Sequence, residues 1–218
     1  MIIAIDGPAG SGKSTLGRML ARALNLLYID TGSMYRAVAL ATLDSALDPT
    51  NTEAVTELAQ RVDINLDGDP DALRVWLEGR DVTERIREDD ITAMSSIVSS
   101  FPGVRRAMVA RQREMGKRGA VMNGRDIGTV VFPDADIKFF LDAAPEERAV
   151  RRFKEDHLVN PDVTVEQTLA EINERDRRDS TRADSPLKVA NDAIVIDSTG
   201  LSIEAVLDRM MEHVHRHN

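Results

Sequence analysis

The sequence predicts an α/β fold: a parallel sheet with helices on both faces, making three layers, with a small antiparallel sheet inserted and a short helical lid. Three observations predict it. Short apolar runs at Ile2 to Ile5, Leu27 to Ile29, Ala120 to Met122, Ile137 to Leu141 and Ala193 to Ile196 alternate with segments of helical periodicity. The first three run directly into polar or glycine residues, which in an open parallel sheet fall at the carboxyl edge where ligands sit. Between residues 48 and 85 the rhythm breaks into strand-like runs joined by turn sequences.

The first element carries the most information. Ile2-Ile3-Ala4-Ile5-Asp6 reads as a buried strand, and Gly7 to Thr15, GPAGSGKST, meets the spacing G-x-x-x-x-G-K-S. Glycines let the backbone turn tightly towards an anion, so that N–H groups point at phosphate oxygens at the positive end of the following helix. Lys13 would reach the outer phosphates, Ser14 offers Mg²⁺ a hard hydroxyl ligand, and Thr15 extends the polar edge. Leu16, Met19, Leu20, Ala23 and Leu24 follow at helical spacing. Strand, loop and helix occur where the motif needs them, which makes the predicted class a P-loop NTPase.

Composition bounds the remaining classes. A chain of 218 residues is long enough for one substantial core, and 30% charged residues without a long apolar run or signal pattern speak against membrane insertion and export, for a cytoplasmic protein. With no cysteine there is no disulfide framework, thiolate nucleophile or zinc-thiolate site. A net charge of −9 argues against nucleic acid as a partner and leaves small anions open. Of the 28 basic residues 23 are arginine, whose planar fork suits bidentate phosphate recognition.

After the second strand, Asp30-Thr31-Gly32-Ser33-Met34-Tyr35-Arg36 places Arg36 near the mouth of the phosphate-loop cleft. A helix from Asp48 to about Val62 leads into strands Asp63 to Leu66 and Leu73 to Leu77, separated by the turn DGDPD, and Glu78 to Asp81 offers a second turn into Val82 and Thr83. Leu73, Val75 and Leu77 share one face; Trp76, on the other, either packs on the inserted helix or serves as a binding aromatic. Two helices follow, from about Asp89 and from Pro102, a natural first-turn residue. Asn123-Gly124-Arg125-Asp126 again sets polar residues at a strand's end, where a charged pair is costly unless used or mutually satisfied.

Pro145 opens a helix with Arg148, Arg151 and Arg152, and Lys154 to Asp162 reads as a mobile tip. Thr164 and Gln167 make a capping box for the return helix, which runs into ERDRRDSTR and carries Arg175, Arg178 and Arg182 at three- and four-residue spacing. Such a run is either a solvated face or, beside a phosphate loop, a lid closing over phosphates. Asp197 to Gly200 reads as a strand-to-helix turn, and His213, His215 and His217 as a polar C-terminus.

GPAGSGKST, DTGSMYR, the FPGVR turn, NGRDIGT and ERDRRDSTR, in this order, resemble bacterial cytidylate kinases over nearly the whole chain, most specifically in GRDIGTVVFPDA, Gly124 to Ala135. The resemblance implies a single nucleotide kinase domain over 1–218. Its core would be about 1–34, 116–147 and 183–218, its nucleoside-monophosphate region about 35–115 with the β insert at 48–85, and its lid about 148–182. It implies transfer of the γ-phosphoryl group of ATP, with Mg²⁺, to CMP or dCMP. By the same resemblance Gly7, Pro8, Ala9, Gly10, Ser11, Gly12, Lys13, Ser14 and Thr15 bind ATP. Lys13, Arg36, Arg125, Arg178 and Arg182 are catalytic; Arg36, Arg125 and Arg182 grip the acceptor phosphate beside Thr31; Asp179 takes the ribose, and Ser96, Arg105 and Asp126 the cytosine. Arg148, Arg151, Arg152 and Arg175 belong to the lid, and Ser14 is the metal candidate, since Asn123 stands where the family usually has an acid. Cytosine's N4 amino group suits a carboxylate, and its O2 and N3 accept from arginine or hydroxyl. A monomer is expected. A kinase for another acceptor such as shikimate, and a catalytically silent nucleotide-binding regulator, are the readings to be distinguished from this one.

Overall fold

The computed structural model describes residues 1–157 and 161–217; residues 158–160, part of the segment expected to form the mobile tip, and Asn218 lie outside the described residues. Strand β1 (Ile2–Asp6) leads through the loop into helix α1 (Lys13–Leu24). Strand β2 (Leu27–Asp30) leads into α2 (Thr31–Asp44), which begins at once because the Asp30 side chain caps it by accepting from the Gly32 N–H. Further on come β6 (Ala120–Asn123), β7 (Ile137–Asp142), β8 (Ile194–Asp197) and α8 (Ile203–His217). Among the described residues these strands form one parallel sheet in the order β2-β6-β1-β7-β8.

Alternation along β1 sets the two faces. Ile3 and Ile5 turn towards Leu16 and Leu20 of α1 and Met210 and Val214 of α8. Ala4 joins Met122 on the opposite face, against Val38 of α2 and Val104 and Met108 of α5 (Pro102–Gly116). Both isoleucines are fully buried, each contributing about 1.5–3 kcal/mol. The sheet thereby holds the carboxyl ends of β1, β2 and β6 side by side, with Asp30 in register with Asn123 and Ile5 beside it.

Helix α3 (Thr52–Arg61) and the strands β3 (Ile64–Asp67), β4 (Arg74–Leu77) and β5 (Arg80–Asp81) form the insert, whose sheet is antiparallel in the order β3-β4-β5. Ile64, Val75 and Leu77 pack into the core under α2. Leu73 does not join them. It precedes β4 and packs with the α1 and α8 side, because a 3-10 turn at Pro70–Ala72 lays the hairpin tip over α1, where Arg22 pairs with Asp71 at 2.5 Å. Trp76 is half-buried and donates its indole N–H to Asp67 Oδ1 at 3.0 Å across the hairpin.

Helices α4 (Asp89–Val98) and α5 follow, then β6 and a π-helical turn at Ile127–Val131 that the sequence did not announce. Helices α6 (Pro145–Asp156) and α7 (Val165–Thr181) occupy the region expected to form the lid. The expected capping box is present, and the arginine-rich run is helical to Thr181, with Arg182 as the extended C-cap. His213 packs edge-on against Phe139, ring centroids 6.3 Å apart. Among the described residues no helix is long and apolar enough to cross a membrane.

Candidate active site

Beyond the carboxyl ends of β1, β2 and β6 lies a cleft of ≈ 2420 Å³. Its floor is the phosphate loop. Gly7 sits under the Leu141 carbonyl, where a Cβ would lie 2.0 Å from the oxygen, so no other residue fits that turn. Ala9 to Thr15 line the cleft, whereas Gly7 and Pro8 lie behind it. Lys13, buried, donates to the Pro8 carbonyl at 2.5 Å and to Ser11 Oγ at 3.3 Å. Burial holds its pKa well below that of a free lysine, and the charges of Arg125 and Arg175 push it further the same way.

The side facing the loop is built from side chains on several elements. Asp30 accepts from Ser33 Oγ at 2.9 Å and from Arg36 Nη2 at 3.5 Å, fixing Arg36 at the cleft mouth with its Nε buried and without a partner. Asp126 lies between two arginines, Arg105 at 2.5 Å and Arg182 at 3.8 Å. Asp179 likewise lies between Arg125 at 3.0 Å and Arg182 at 3.2 Å. Burial alone would raise the Asp179 pKa, but Arg125, Arg175 and Arg182 hold it below the usual carboxylate range. The guanidinium of Arg105 stands 5.3 Å from the centre of the Tyr35 ring. Arg105 Nε and Arg182 Nη2 are buried donors with no hydrogen-bond partner in the protein, Arg182 Nη2 meeting Asp126 only at ion-pair distance. Such donors are costly to leave unmet, which marks the space they face as a binding site for acceptor atoms.

Most residues singled out in the sequence meet here. Arg36, Arg105, Arg125, Asp126, Asp179 and Arg182 line one continuous wall, with Ser96 at its edge. Thr31 also reaches the cleft but donates its hydroxyl to the Asn123 carbonyl at 2.8 Å, tying α2 to β6. The arginines expected in the lid divide. Arg175 points inward, and burial, followed by the charges of Arg125 and other cations, lowers its pKa to about 10. Arg178 lies at the rim, 3.8 Å from Glu174 and 41% exposed. Arg151 donates to Ser198 Oγ at 2.9 Å and to the Ser198 carbonyl at 2.7 Å, bracing the Asp197 to Gly200 turn, and Arg152 lines the cleft nearby. Arg148 does not reach the cleft. It is 5% exposed and turned towards the back of the phosphate loop.

Sequence reasoning passed over Asp6. Its carboxylate, buried at the end of β1, accepts from the Ile127 N–H at 2.9 Å and the Gly128 N–H at 2.7 Å. It thereby joins the strand that launches the phosphate loop to the segment bearing Arg125 and Asp126. Burial pushes its pKa up to about 6 against the two N–H donors. Its signal was available: an acid at the carboxyl end of a central strand, the same position that identified Asp30 and Asn123.

Comparison with known proteins places this arrangement. The model of the cytidylate kinase family matches residues 3–216. The chain is 51% identical to the cytidylate kinase of Desulforamulus reducens, covering 98% of this chain and 96% of that one. It is 49% identical to that of Solibacter usitatus (98% and 92%) and 47% identical to that of Bacillus subtilis strain 168 (98% and 96%). In shape it is similar to an uncharacterized protein from Eubacterium ventriosum, with a TM-score of 0.53 at 14% identity over 99% of this chain and 98% of that one, which supports the fold. With a phosphate loop facing an arginine and aspartate wall across one cleft, and near-full-length identity of about half, the chain belongs to the cytidylate kinase family.

Proposed function

We propose a division of labour within the cleft for the reaction of this family, transfer of a phosphoryl group to CMP or dCMP. The observation that carries it is the gathering of Lys13, Arg125 and Arg175 along one cleft, close enough that Arg125 and Arg175 depress the Lys13 pKa and Arg125 depresses that of Arg175. Such a cluster is unfavourable until a multiply charged group sits among it. Phosphoryl transfer demands this, because it proceeds by in-line positioning and stabilisation of charge on the equatorial oxygens, without a covalent enzyme intermediate.

On this reading the loop from Gly7 to Thr15 seats the ATP phosphates, and Lys13 leaves the Pro8 carbonyl for them. Arg36, Arg125 and Arg182 hold the acceptor phosphate, and Asp179, oriented by two of them, takes the ribose hydroxyls. Arg105, Asp126 and Ser96 read cytosine. Uracil reverses the polarity at two of the three positions, and each buried mismatch costs about 1–3 kcal/mol. Arg175 takes the inward place on α7, with Arg178 guarding the rim. The core, monophosphate region and lid divide near residues 35, 116, 148 and 183 on the same reading.

The residues present fit a hard divalent cation such as Mg²⁺. Ser14 Oγ lies 3.2 Å from the Asn123 amide nitrogen, the Asn123 Oδ1 is buried without a hydrogen-bond partner, and Asp30 is in register beside it. These are oxygen ligands of the type Mg²⁺ prefers, directly or through its waters. Bound there with ATP, the ion would neutralise phosphate charge.

A coupled ADP-release assay with ATP and Mg²⁺ against CMP, dCMP, UMP, AMP, GMP and no acceptor tests the reading. Turnover is expected with CMP and dCMP far above the others. ADP released equally without acceptor would mark an NTPase and remove the assignments on the acceptor wall.

A further inference from the structure

We propose that Arg148 and Asp176 are positioning residues that fasten the roots of both lid helices to Ala9, so that the phosphate loop and the lid move as one unit. The geometry is a closed circuit. Arg148, on α6, donates Nε to the Ala143 carbonyl at 2.9 Å and Nη1 to the Ala9 carbonyl at 2.8 Å. The same Nη1 meets Asp176 Oδ2, on α7, at 2.5 Å. The other oxygen, Oδ1, accepts from the Ala9 N–H at 3.1 Å. Both backbone groups of one loop residue are thus held, the carbonyl from α6 and the amide from α7.

Two further observations bear on the same point. The Ala9 methyl group is buried with Ala149 of α6 and Ile172 of α7 in a small apolar cluster separate from the main core. The next residue, Gly10, lies so close to α6 that a Cβ there would stand 2.8 Å from the Arg148 carbonyl. The loop is therefore gripped from behind by the lid while its inward face lines the cleft. A shift of α6 against α7 cannot leave Ala9 unmoved, because each helix holds a different group of it. Lid closure and the arrangement of the loop's N–H donors are coupled through this contact, and the seat for the donor phosphates is complete only when both helices are in place. Since Arg148 and Asp176 do not face the acceptor wall, their effect should fall on ATP.

This rests on the reading of Gly7 to Thr15 as the ATP seat, so the first measurement is calorimetric titration of the native protein with ATP and Mg²⁺; absence of binding would overturn that reading, and the latch with it. The latch is then tested with the double variant Arg148→Met/Asp176→Leu, which removes both charges together and leaves no lone buried ion. The expected result is a KM for ATP raised at least 10-fold, a KM for CMP within about 3-fold of native, and faster amide hydrogen exchange in the peptide containing Ala9 and Gly10. A folded double variant with native KM for ATP and native exchange would overturn the latch. Should the double variant not fold, Asp176→Asn, which keeps the shape and one oxygen, decides: the same ATP-selective split supports the latch, and no loss, or equal losses for ATP and CMP, overturns it.

Discussion

The two walls of the cleft are built on opposite principles. The proposed donor wall is one continuous stretch, Gly7 to Thr15, in which turn geometry and backbone N–H groups are arranged around a single buried lysine. The proposed acceptor wall takes its charged groups from α2, α5, α7 and the segment after β6, as side chains paired to one another: Asp126 with Arg105 and Arg182, Asp179 with Arg125 and Arg182. A backbone seat recognises phosphate without regard to what is attached to it. A side-chain seat can discriminate, because each carboxylate and guanidinium sets the polarity of one ligand atom, and the carboxylates hold the arginines in place.

Removing the one side chain on which the donor wall depends should have the largest effect. Lys13→Met is expected to lower turnover by about 10²–10³-fold while leaving CMP binding within a few-fold, measured by steady-state kinetics and calorimetry. On the acceptor wall, Arg182→Ala should reduce turnover on the order of 10²-fold and ATP affinity much less, since Arg182 touches both acceptor-side carboxylates. Equal losses in the two quantities would count against its place on the acceptor phosphate and blur the distinction between the walls. Asp126→Asn probes discrimination itself. An amide can present either polarity to a pyrimidine, so the preference for CMP over UMP is expected to fall by roughly 10- to 100-fold through both a weaker CMP and a stronger UMP reaction.

The same contrast governs what could be read from the sequence. The donor wall was legible because its chemistry is contiguous and each residue type has a local reason. The five parallel strands and the inserted sheet were legible for a similar reason, as apolar runs bounded by turns. The acceptor wall required the resemblance, since nothing in the spacing brings Arg105 to Asp126 or Arg125 to Asp179. On α7 the expectation that Arg175, Arg178 and Arg182 line one face if the helix continues that far left their depths open: all three border the cleft, with the helix ending at Thr181. At about 100° per residue, Arg182 and Asp179 fall near the direction of Arg175 while Arg178 stands some 60° away, at the rim. Leu73 was assigned by strand alternation, which ceases to apply where a 3-10 turn precedes the strand. The latch from Ala9 to Arg148 and Asp176 spans the chain almost from end to end and left no local mark at all.

Asp6 joins the two walls, and its titration offers the finest test of how they differ. Its pKa of about 6 in the folded protein stands above its ordinary 3.8, so between those values the folded state holds a proton that the unfolded chain releases. Stability from this group is therefore full below about pH 4, declines as pH rises towards 6, and is level above, a total change of about 3 kcal/mol. The ionised form that costs this stability is the one with two free acceptors for the Ile127 and Gly128 N–H groups, so the fold gives up stability at neutral pH to hold the segment bearing Arg125 and Asp126. Lys13 and Asp126 face the same carboxylate and act on it with opposite sign. Asp6→Asn removes the titration and turns one acceptor into a donor against an N–H. Urea unfolding of both proteins from pH 4 to 7.5 should show the native protein losing about 3 kcal/mol relative to the variant across that window. At neutral pH, kcat/KM for CMP in the variant should be several-fold lower with ATP affinity nearly native, because the segment released belongs to the proposed acceptor wall. A stability difference independent of pH would remove Asp6 from the titrating groups, and a loss falling on ATP instead would place it with the donor wall.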